Sequence, residues 1–149
     1  MSDKLVAYYS ASGVTAKTAK ELAAVTGADI FSIEPVQKYT TADLNWMDKK
    51  SRSTVEMKDP SSRPKMKETR DLTGYDTIYI GFPIWWGEAP RIINTFLDSA
   101  DFSGKTIMLF ATSGGSGISK AVDALKKTYP QLNIAGGKLL NGKVTGDIL

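Results

Sequence analysis

The sequence contains no cysteine and no histidine. The absence of cysteine excludes disulfides, thiol nucleophiles, thiolate zinc sites and cysteine-ligated iron–sulfur clusters. The absence of histidine removes the usual proton shuttle, the serine–histidine hydrolase triads and most transition-metal ligands. If this protein performs redox chemistry, an organic cofactor must therefore supply it.

Long apolar runs and a strong excess of one charge are also missing. The apolar runs are short and interrupted, so we predict no membrane association. The chain begins without the architecture of a signal peptide, and we therefore expect a cytoplasmic location. The net charge is +3 with a pI near 9.0, but basic and acidic residues are interleaved. This mixture indicates a solvated, salt-bridged surface, and we predict no nucleic-acid binding.

The 149 residues suit a single domain, 1–149, in which strands and helices alternate. Apolar residues at helical spacing predict three helices, which begin near Thr15, Pro90 and Ile118. We expect Thr15 to cap the first of them. A long crossover, 34–74, contains a predicted amphipathic helix over Asp43–Met57. The predicted strands are Leu5–Tyr9, Ile30–Ile33, Ile78–Phe82, Thr106–Ala111 and, more weakly, Ile134–Leu140.

This alternation predicts an α/β fold, a parallel sheet with helices on both faces joined by right-handed crossovers. In such a sheet a ligand lies outside the carboxyl ends of the strands, near the point where strand order reverses. That rule selects three loops: Ser10–Thr15, Pro83–Glu88 and Thr112–Gly117. All three are rich in glycine, hydroxyls or aromatic rings, so we expect the ligand there.

The first loop joins a strand to a helix, so its backbone amides and hydroxyls converge on a helix N-terminus, which is a site for anions. It offers the hydroxyls of Ser10, Ser12 and Thr15, with Gly13 allowing close backbone approach. It lacks the lysine of a nucleoside-triphosphate loop and the three-glycine dinucleotide fingerprint. We therefore predict a phosphate monoester here; an ordinary capped turn is the alternative.

The second loop contains two adjacent indoles, Trp85 and Trp86. Neighbouring side chains of an extended segment point to opposite sides, so at least one indole should be available to a flat ligand. The third loop carries three glycines and three hydroxyls, which allows its backbone to approach the edge of a planar ring. It does not match the nucleophile elbow of a serine hydrolase, since Gly114–Ile118 lacks the final glycine.

These residues resemble the flavodoxin family over nearly the whole chain, from Lys4 to about Gly142. The resemblance implies a flavodoxin-like doubly wound sheet of five parallel strands in the order 2-1-3-4-5, with FMN as cofactor. It implies no catalytic side chain and no metal, because FMN carries the electrons and the protein tunes its potential.

The resemblance also assigns the three loops. In flavodoxins the first loop holds the phosphate, the second lies against the isoalloxazine ring with a glycine peptide that responds to the redox state at N5, and the third binds the pyrimidine edge. The implied stacking ring is Trp85 or Trp86 and the responsive peptide is that of Gly87. The implied cofactor-binding residues are Ser10, Ala11, Ser12, Gly13, Val14 and Thr15 in the first loop, Pro83, Ile84, Trp85, Trp86 and Gly87 in the second, and Thr112, Ser113, Gly114, Gly115 and Gly117 in the third.

Three features depart from the family pattern. The third loop has no tyrosine or tryptophan, so we expect one side of the flavin to be covered by backbone or open. The net charge is basic, unlike that of strongly acidic carriers that steer towards basic partners. The chain stops soon after Thr145–Ile148 begins a final capped helix, so we expect that helix to be missing or truncated. Apolar sheet surface would then be exposed or covered by another chain, such as a second copy in a homo-oligomer.

Three functions are compatible with this pattern. The first is an FMN electron carrier between a reductase and an acceptor protein. The second is an FMN-dependent NAD(P)H oxidoreductase acting on quinones or similar acceptors, with a substrate pocket built by the crossover at Asp43–Pro64, including Trp46. The third is a phospho-receiver, which needs acidic residues where this chain places Tyr9–Ser10 and Phe82–Pro83; we regard it as the weakest of the three.

Overall fold

Five strands and four helices alternate along the part of the chain that the computed structural model describes, residues 3–11, 13–45, 47–59, 61–112 and 117–140. In chain order they are β1 (Lys4–Tyr8), α1 (Val14–Thr26), β2 (Asp29–Ser32), α2 (Arg52–Lys58), β3 (Thr77–Pro83), α3 (Arg91–Asp98), β4 (Thr106–Thr112), α4 (Ser119–Thr128) and β5 (Asn133–Leu139).

All five strands form one parallel sheet in the order β2-β1-β3-β4-β5. This confirms the predicted fold class and strand order. The order reverses between β1 and β3, because the chain leaves β1 for one edge through β2 and returns to the other side of β1 as β3. The register of β3 and β4 pairs Pro83 with Thr112, so the second and third loops leave the sheet side by side.

The strands are buried on both faces, as their apolar runs predict. Leu5, Ile80 and Leu109 belong to the larger core cluster, which also contains the apolar residues of α3 and α4. Val6 and Tyr79 belong to a second cluster on the opposite face, with the apolar residues of α1. Successive strand residues therefore contribute to different cores, and helices cover both faces of the sheet.

The crossover helix α2 is shorter than the predicted helix over Asp43–Met57. Side-chain oxygens that accept from nearby backbone N–H groups hold the preceding residues in turns. Met47 N–H donates to Asn45 Oδ1 (3.2 Å), and Lys50 N–H donates to Asp48 Oδ1 (2.9 Å). Such bonds offer the backbone an alternative to the helix. The helix begins only after Ser51, whose side chain accepts from the N–H of Thr54.

The predicted cap of the first helix, Thr15, is also wrong. The N-cap is Gly13, at φ +94°, and Thr15 is a buried residue within α1. Glycine adopts this left-handed backbone without the steric cost of a Cβ. Thr15 is therefore released from capping, and its hydroxyl hydrogen-bonds to a residue distant in the sequence.

The predicted final helix around Thr145–Ile148 lies outside the described residues. Val6, Tyr79 and Phe110, on the sheet face that packs against α1, are fully buried. The exposed apolar sheet surface that we expected is therefore not seen at these positions.

Candidate cofactor site

The three loops selected from the sequence meet at the carboxyl edge of the sheet, where β1, β3 and β4 end side by side. Direct bonds join the second and third loops, since Ile84 N–H donates to the carbonyl of Thr112 (3.1 Å). The first loop approaches the second, because Ala11 lines the same cavity as Trp85 and Trp86. Ser12 and residues 113–116 lie outside the described residues.

The first loop has the features of an anion site. Gly13 N–H donates to Ser10 Oγ (3.0 Å), which leaves the hydroxyl proton of Ser10 available to another acceptor. The first bond inside α1 runs from Lys17 N–H to the carbonyl of Gly13 (3.1 Å), so the amides before Lys17 belong to the free first turn. That turn carries no acidic side chain. The positive end of the α1 dipole is therefore left for an external anion.

A buried pair of hydroxyls joins this helix to the third loop. Thr15 Oγ1 and Thr112 Oγ1 are 2.7 Å apart, and both residues are almost fully buried. A single proton occupies the space between two hydrogen-bonded oxygens, so the pair keeps a second proton that it can donate elsewhere. This geometry is compatible with the predicted donation from Thr15 to phosphate.

The second loop is a tight two-residue hairpin. Trp85 and Glu88 exchange both backbone hydrogen bonds, at 2.9 and 3.0 Å. The central residues Trp86 and Gly87 have φ +51° and +81°, as in the mirror-image turns that join antiparallel strands. Glycine suits such a position, whereas a bulky residue there is uncommon and is typical of functional sites.

The hairpin separates the two indoles. Trp86 is 43% exposed, whereas Trp85 is half-buried and meets the rings of Tyr9 and Tyr39 edge-on, with centroids 5.9 and 5.4 Å away. The indole of Trp86 is thus exposed to solvent, as a ring available to a flat ligand would be. The stacking role itself stays a prediction.

The sequence pattern missed the support beneath Trp85. The guanidinium carbon of Arg52 lies 3.9 Å from the centre of the Tyr39 ring, and Arg52 Nε is 3.0 Å from Glu56 Oε2. The Tyr39 hydroxyl donates to Glu56. Burial, with that bond to Glu56, raises the pKa of Tyr39 well above its ordinary value, and burial likewise raises the pKa of Tyr9. Both rings therefore stay neutral. No local pattern signals this cluster, because its members come from the residue after β1, the crossover and α2.

A second unpredicted group holds the hairpin turn. Lys120, from α4, donates to the carbonyl of Trp86 (3.2 Å) and lies 3.9 Å from Glu88 Oε2. The other carboxylate oxygen of Glu88 is 3.5 Å from Arg91 Nη1. The peptide between Trp86 and Gly87 is thus tied to α4, and Glu88 is tied to α3.

The chemistry of these loops suits a phosphorylated planar ligand. Among the described residues, no group of three or more acidic side chains could hold a metal ion. No helix within the described ranges is long and apolar enough to cross a membrane. The parallel sheet in the order β2-β1-β3-β4-β5, with the three loops at its carboxyl edge, defines a flavodoxin-like α/β protein.

Comparison with known proteins gives the family. The family model described as Flavodoxin matches residues 3–149. The chain belongs to the flavodoxin family, whose cofactor is FMN. No curated protein matches the sequence.

Solved structures agree with this fold. A candidate flavoprotein from Bacteroides eggerthii is 52% identical, with a TM-score of 0.93 over 96% of this chain and 90% of its own. One from Bacteroides uniformis is 53% identical, with a TM-score of 0.93 over 97% and 94%. A flavoprotein from Lactobacillus acidophilus, solved in complex with FMN, is 23% identical, with a TM-score of 0.74 over 91% of each chain; at that identity the likeness shows the fold alone.

Proposed function

We propose that this protein binds FMN non-covalently and carries electrons between a reductase and an acceptor protein. The observation that carries the proposal is the convergence, at one edge of the sheet, of the uncapped first turn of α1 and the exposed ring of Trp86. A phosphate and a flat ring are the two parts of FMN that need such partners.

The loops divide the cofactor between them in this proposal. Ser10, Ser12, Gly13 and Thr15, with the backbone of Ala11 and Val14, hold the phosphate. The hairpin from Pro83 to Gly87 lies against the ring, and Thr112–Gly115 with Gly117 meets its pyrimidine edge. When bound, FMN supplies the one- and two-electron chemistry. The chain contributes binding, orientation and a local environment, and needs no side chain as acid or base.

The described residues fit FMN in two further respects. Gly13 has open space where a side chain would stand, so a ligand can approach its backbone closely. The rings beside Trp85 stay neutral, since burial raises the pKa of both Tyr9 and Tyr39. The tyrosine rings that support Trp85 are therefore uncharged, and the charges of the neighbouring Arg52–Glu56 pair compensate each other.

An FMN-dependent NAD(P)H oxidoreductase is the second candidate. A cavity of about 270 Å³ adjoins the hairpin, and Leu44 and Ser53 of the crossover line it. This is the part of the chain from which we predicted a substrate pocket, although Trp46 lies outside the described residues. A small acceptor bound there would let the protein act alone.

Three measurements test the proposal. The visible spectrum of the purified protein, and titration of the apoprotein with FMN, should show a flavin band and quenching of flavin fluorescence. A colourless protein that leaves FMN fluorescence unchanged would remove FMN from the proposal. Steady oxidation of NADPH with a quinone, in the absence of any reductase, separates the two functions: an electron carrier needs an added reductase, whereas an oxidoreductase does not.

The partners and assembly are part of the same proposal. We propose a cytoplasmic protein that docks redox partners and binds neither nucleic acid nor membrane. A homo-oligomer belongs to the proposal only if the final helix does not cover the sheet. Light scattering tests it, because a compact monomer would oppose it.

A further inference from the structure

The cavity beside the hairpin is built from two sources. Ala11, Ile84, Trp85 and Trp86 come from loops already predicted to hold FMN, whereas Leu44 and Ser53 come from the crossover. The lining is mainly apolar. A ring that stacks on the hairpin would therefore lie between the hairpin and the crossover.

Local hydrogen bonds explain how the crossover reaches this cavity. Thr40 and Asp43 bond reciprocally, with Thr40 N–H donating to Asp43 Oδ2 (2.9 Å) and Asp43 N–H to Thr40 Oγ1 (3.1 Å). Ser53 N–H donates to the carbonyl of Asp43 (2.9 Å), which brings Leu44 and Ser53 together. The turn at 40–44 and the start of α2 thus form one wall.

The other end of α2 is fixed to the main fold. The buried guanidinium of Arg91, on α3, donates to the last carbonyls of the helix, at 2.7 Å to Met57 and 3.4 Å to Glu56. Charged donors make the stronger hydrogen bonds in proteins. The position of Ser53 is therefore set by contacts at both ends of a short helix.

Three buried hydroxyls lie on this turn of chain, and one of them differs from the others. Ser51 Oγ donates to Thr54 Oγ1 (2.9 Å), so these two satisfy each other. Ser53 is 2% exposed, and its hydroxyl has no hydrogen-bond partner among the described residues. A buried hydroxyl without a partner is costly and uncommon in folded proteins.

We infer that Ser53 hydrogen-bonds a polar atom of the FMN ring, which makes α2 a fourth cofactor-binding segment besides the three loops. The inference rests on the proposed function, because the ligand is the proposed FMN. The ring carries nitrogen and carbonyl acceptors in an otherwise apolar tricycle, which matches a mainly apolar cavity lined by a residue with an unpartnered hydroxyl. Ser53 acts here as a binding and positioning residue.

The test compares Ser53→Ala with Thr54→Val on three ligands: FMN, riboflavin and lumiflavin, which share the ring and differ in the phosphate and ribityl chain. We expect Ser53→Ala to weaken all three by the same factor, roughly three- to tenfold, as for a lost hydrogen bond. The melting temperature of its apoprotein should be unchanged or higher, since no internal bond is lost. Thr54→Val breaks the bond to Ser51 and should lower that temperature.

Several outcomes would overturn the inference. Unchanged affinities in Ser53→Ala would show that the hydroxyl does not contact the ring, and that water satisfies it instead. A loss confined to FMN would indicate an effect on phosphate, and a loss accompanied by a lower apoprotein melting temperature would indicate a structural role. If the wild-type protein binds none of the three ligands, the proposed function fails, which is a separate result from failure of Ser53 alone.

Discussion

Thr15 and Thr112 share one hydrogen bond, yet only Thr15 lies in the helix turn where we propose that the phosphate binds. Thr15 lies in the first turn of α1, whereas Thr112 is the last residue of β4. Valine has the shape of threonine without the hydroxyl. Replacing either residue therefore removes the same internal bond and leaves one buried hydroxyl alone.

We predict that Thr15→Val weakens FMN binding about tenfold or more, since hydrogen bonds to charged groups contribute roughly 1.5–3 kcal/mol. Riboflavin, which lacks the phosphate, should bind as before. Thr112→Val is the matched control: it should cost similar stability, about 1–3 kcal/mol, while keeping the preference for FMN over riboflavin. Fluorescence titration with FMN and with riboflavin measures the preference of each variant. If both variants lose the preference for FMN equally, the phosphate does not contact Thr15.

Lys120 holds a single peptide at the hairpin. Its bond to the carbonyl of Trp86 opposes rotation of the Trp86–Gly87 peptide, which the flavodoxin resemblance makes responsive to the redox state of FMN. If FMN is bound as proposed, the carbonyl of Trp86 would have to rotate away from Lys120 to accept a hydrogen bond from a protonated N5. Lys120 therefore stabilises the peptide orientation seen in this structure, which we propose is the one that suits oxidised FMN.

We predict that Lys120→Met makes the first one-electron reduction more favourable relative to the second. An exposed hydrogen bond is worth about 0.5–1 kcal/mol, which corresponds to a shift on the order of 20–40 mV for one electron. Lys120→Arg keeps the charge and a donor, and should stay near the wild type. Potentiometric titration followed by visible absorption measures both steps. A parallel shift of both potentials in Lys120→Met would mean that charge alone is responsible.

At the scale of elements, the central strands tolerate almost no change of volume. Gly81 of β3 pairs in register with Phe110 of β4. A Cβ at Gly81 would stand 2.1 Å from the Phe110 ring, far inside van der Waals contact. The glycine here provides room for the neighbouring ring, and its backbone needs no left-handed conformation.

We predict that Gly81→Ala lowers the free energy of unfolding by about 1–3 kcal/mol or more, because a rigid ring in a packed core cannot withdraw. Gly117→Ala is the control, since a Cβ there meets nothing within 4 Å. It should change the stability of the apoprotein by less than about 0.5 kcal/mol. Denaturant unfolding of both variants gives the comparison, and equal stabilities would show that Phe110 moves aside.

For the whole molecule, tyrosine ionisation limits stability in alkali. Burial is the main cause that raises the pKa of Tyr9, Tyr39, Tyr75, Tyr79 and Tyr129 above the ordinary value of 10.0. Above pH 10 these hydroxyls therefore stay protonated in the folded chain, whereas they ionise in the unfolded chain. The stability they contribute is complete below pH 10 and is lost as the pH rises above it, towards the folded values.

We predict that the free energy of unfolding falls steadily above pH 10, and that Tyr79→Phe makes this fall less steep. The Tyr79 hydroxyl is buried without a partner among the described residues, so its removal should leave stability at neutral pH unchanged or slightly higher. Denaturant unfolding at several alkaline pH values measures the slope. An identical slope in Tyr79→Phe would show that Tyr79 ionises equally in the folded and the unfolded chain, so that burial does not raise its pKa.

The strand runs were predictable because residues buried on both faces leave a continuous apolar signal. The observed β3 contains all of Ile78–Phe82, and β4 all of Thr106–Ala111. The crossover was not predictable in the same way. Side-chain hydrogen bonds of Asn45 and Asp48 broke an apparent helix, and such bonds have no periodicity.

The sequence by itself determined the parallel α/β sheet and the three loops at its carboxyl edge, because apolar periodicity and turn residues act locally. Its composition also determined that any redox chemistry needs an organic cofactor. Only the tertiary structure decided which residues stand behind those loops. Three features join residues that lie far apart in the chain. They are the Thr15–Thr112 bond, the support of Trp85 by Tyr39, Glu56 and Arg52, and the cavity that Ser53 lines together with Trp85. Contacts of that kind depend on how elements pack, and packing leaves no repeat along the sequence.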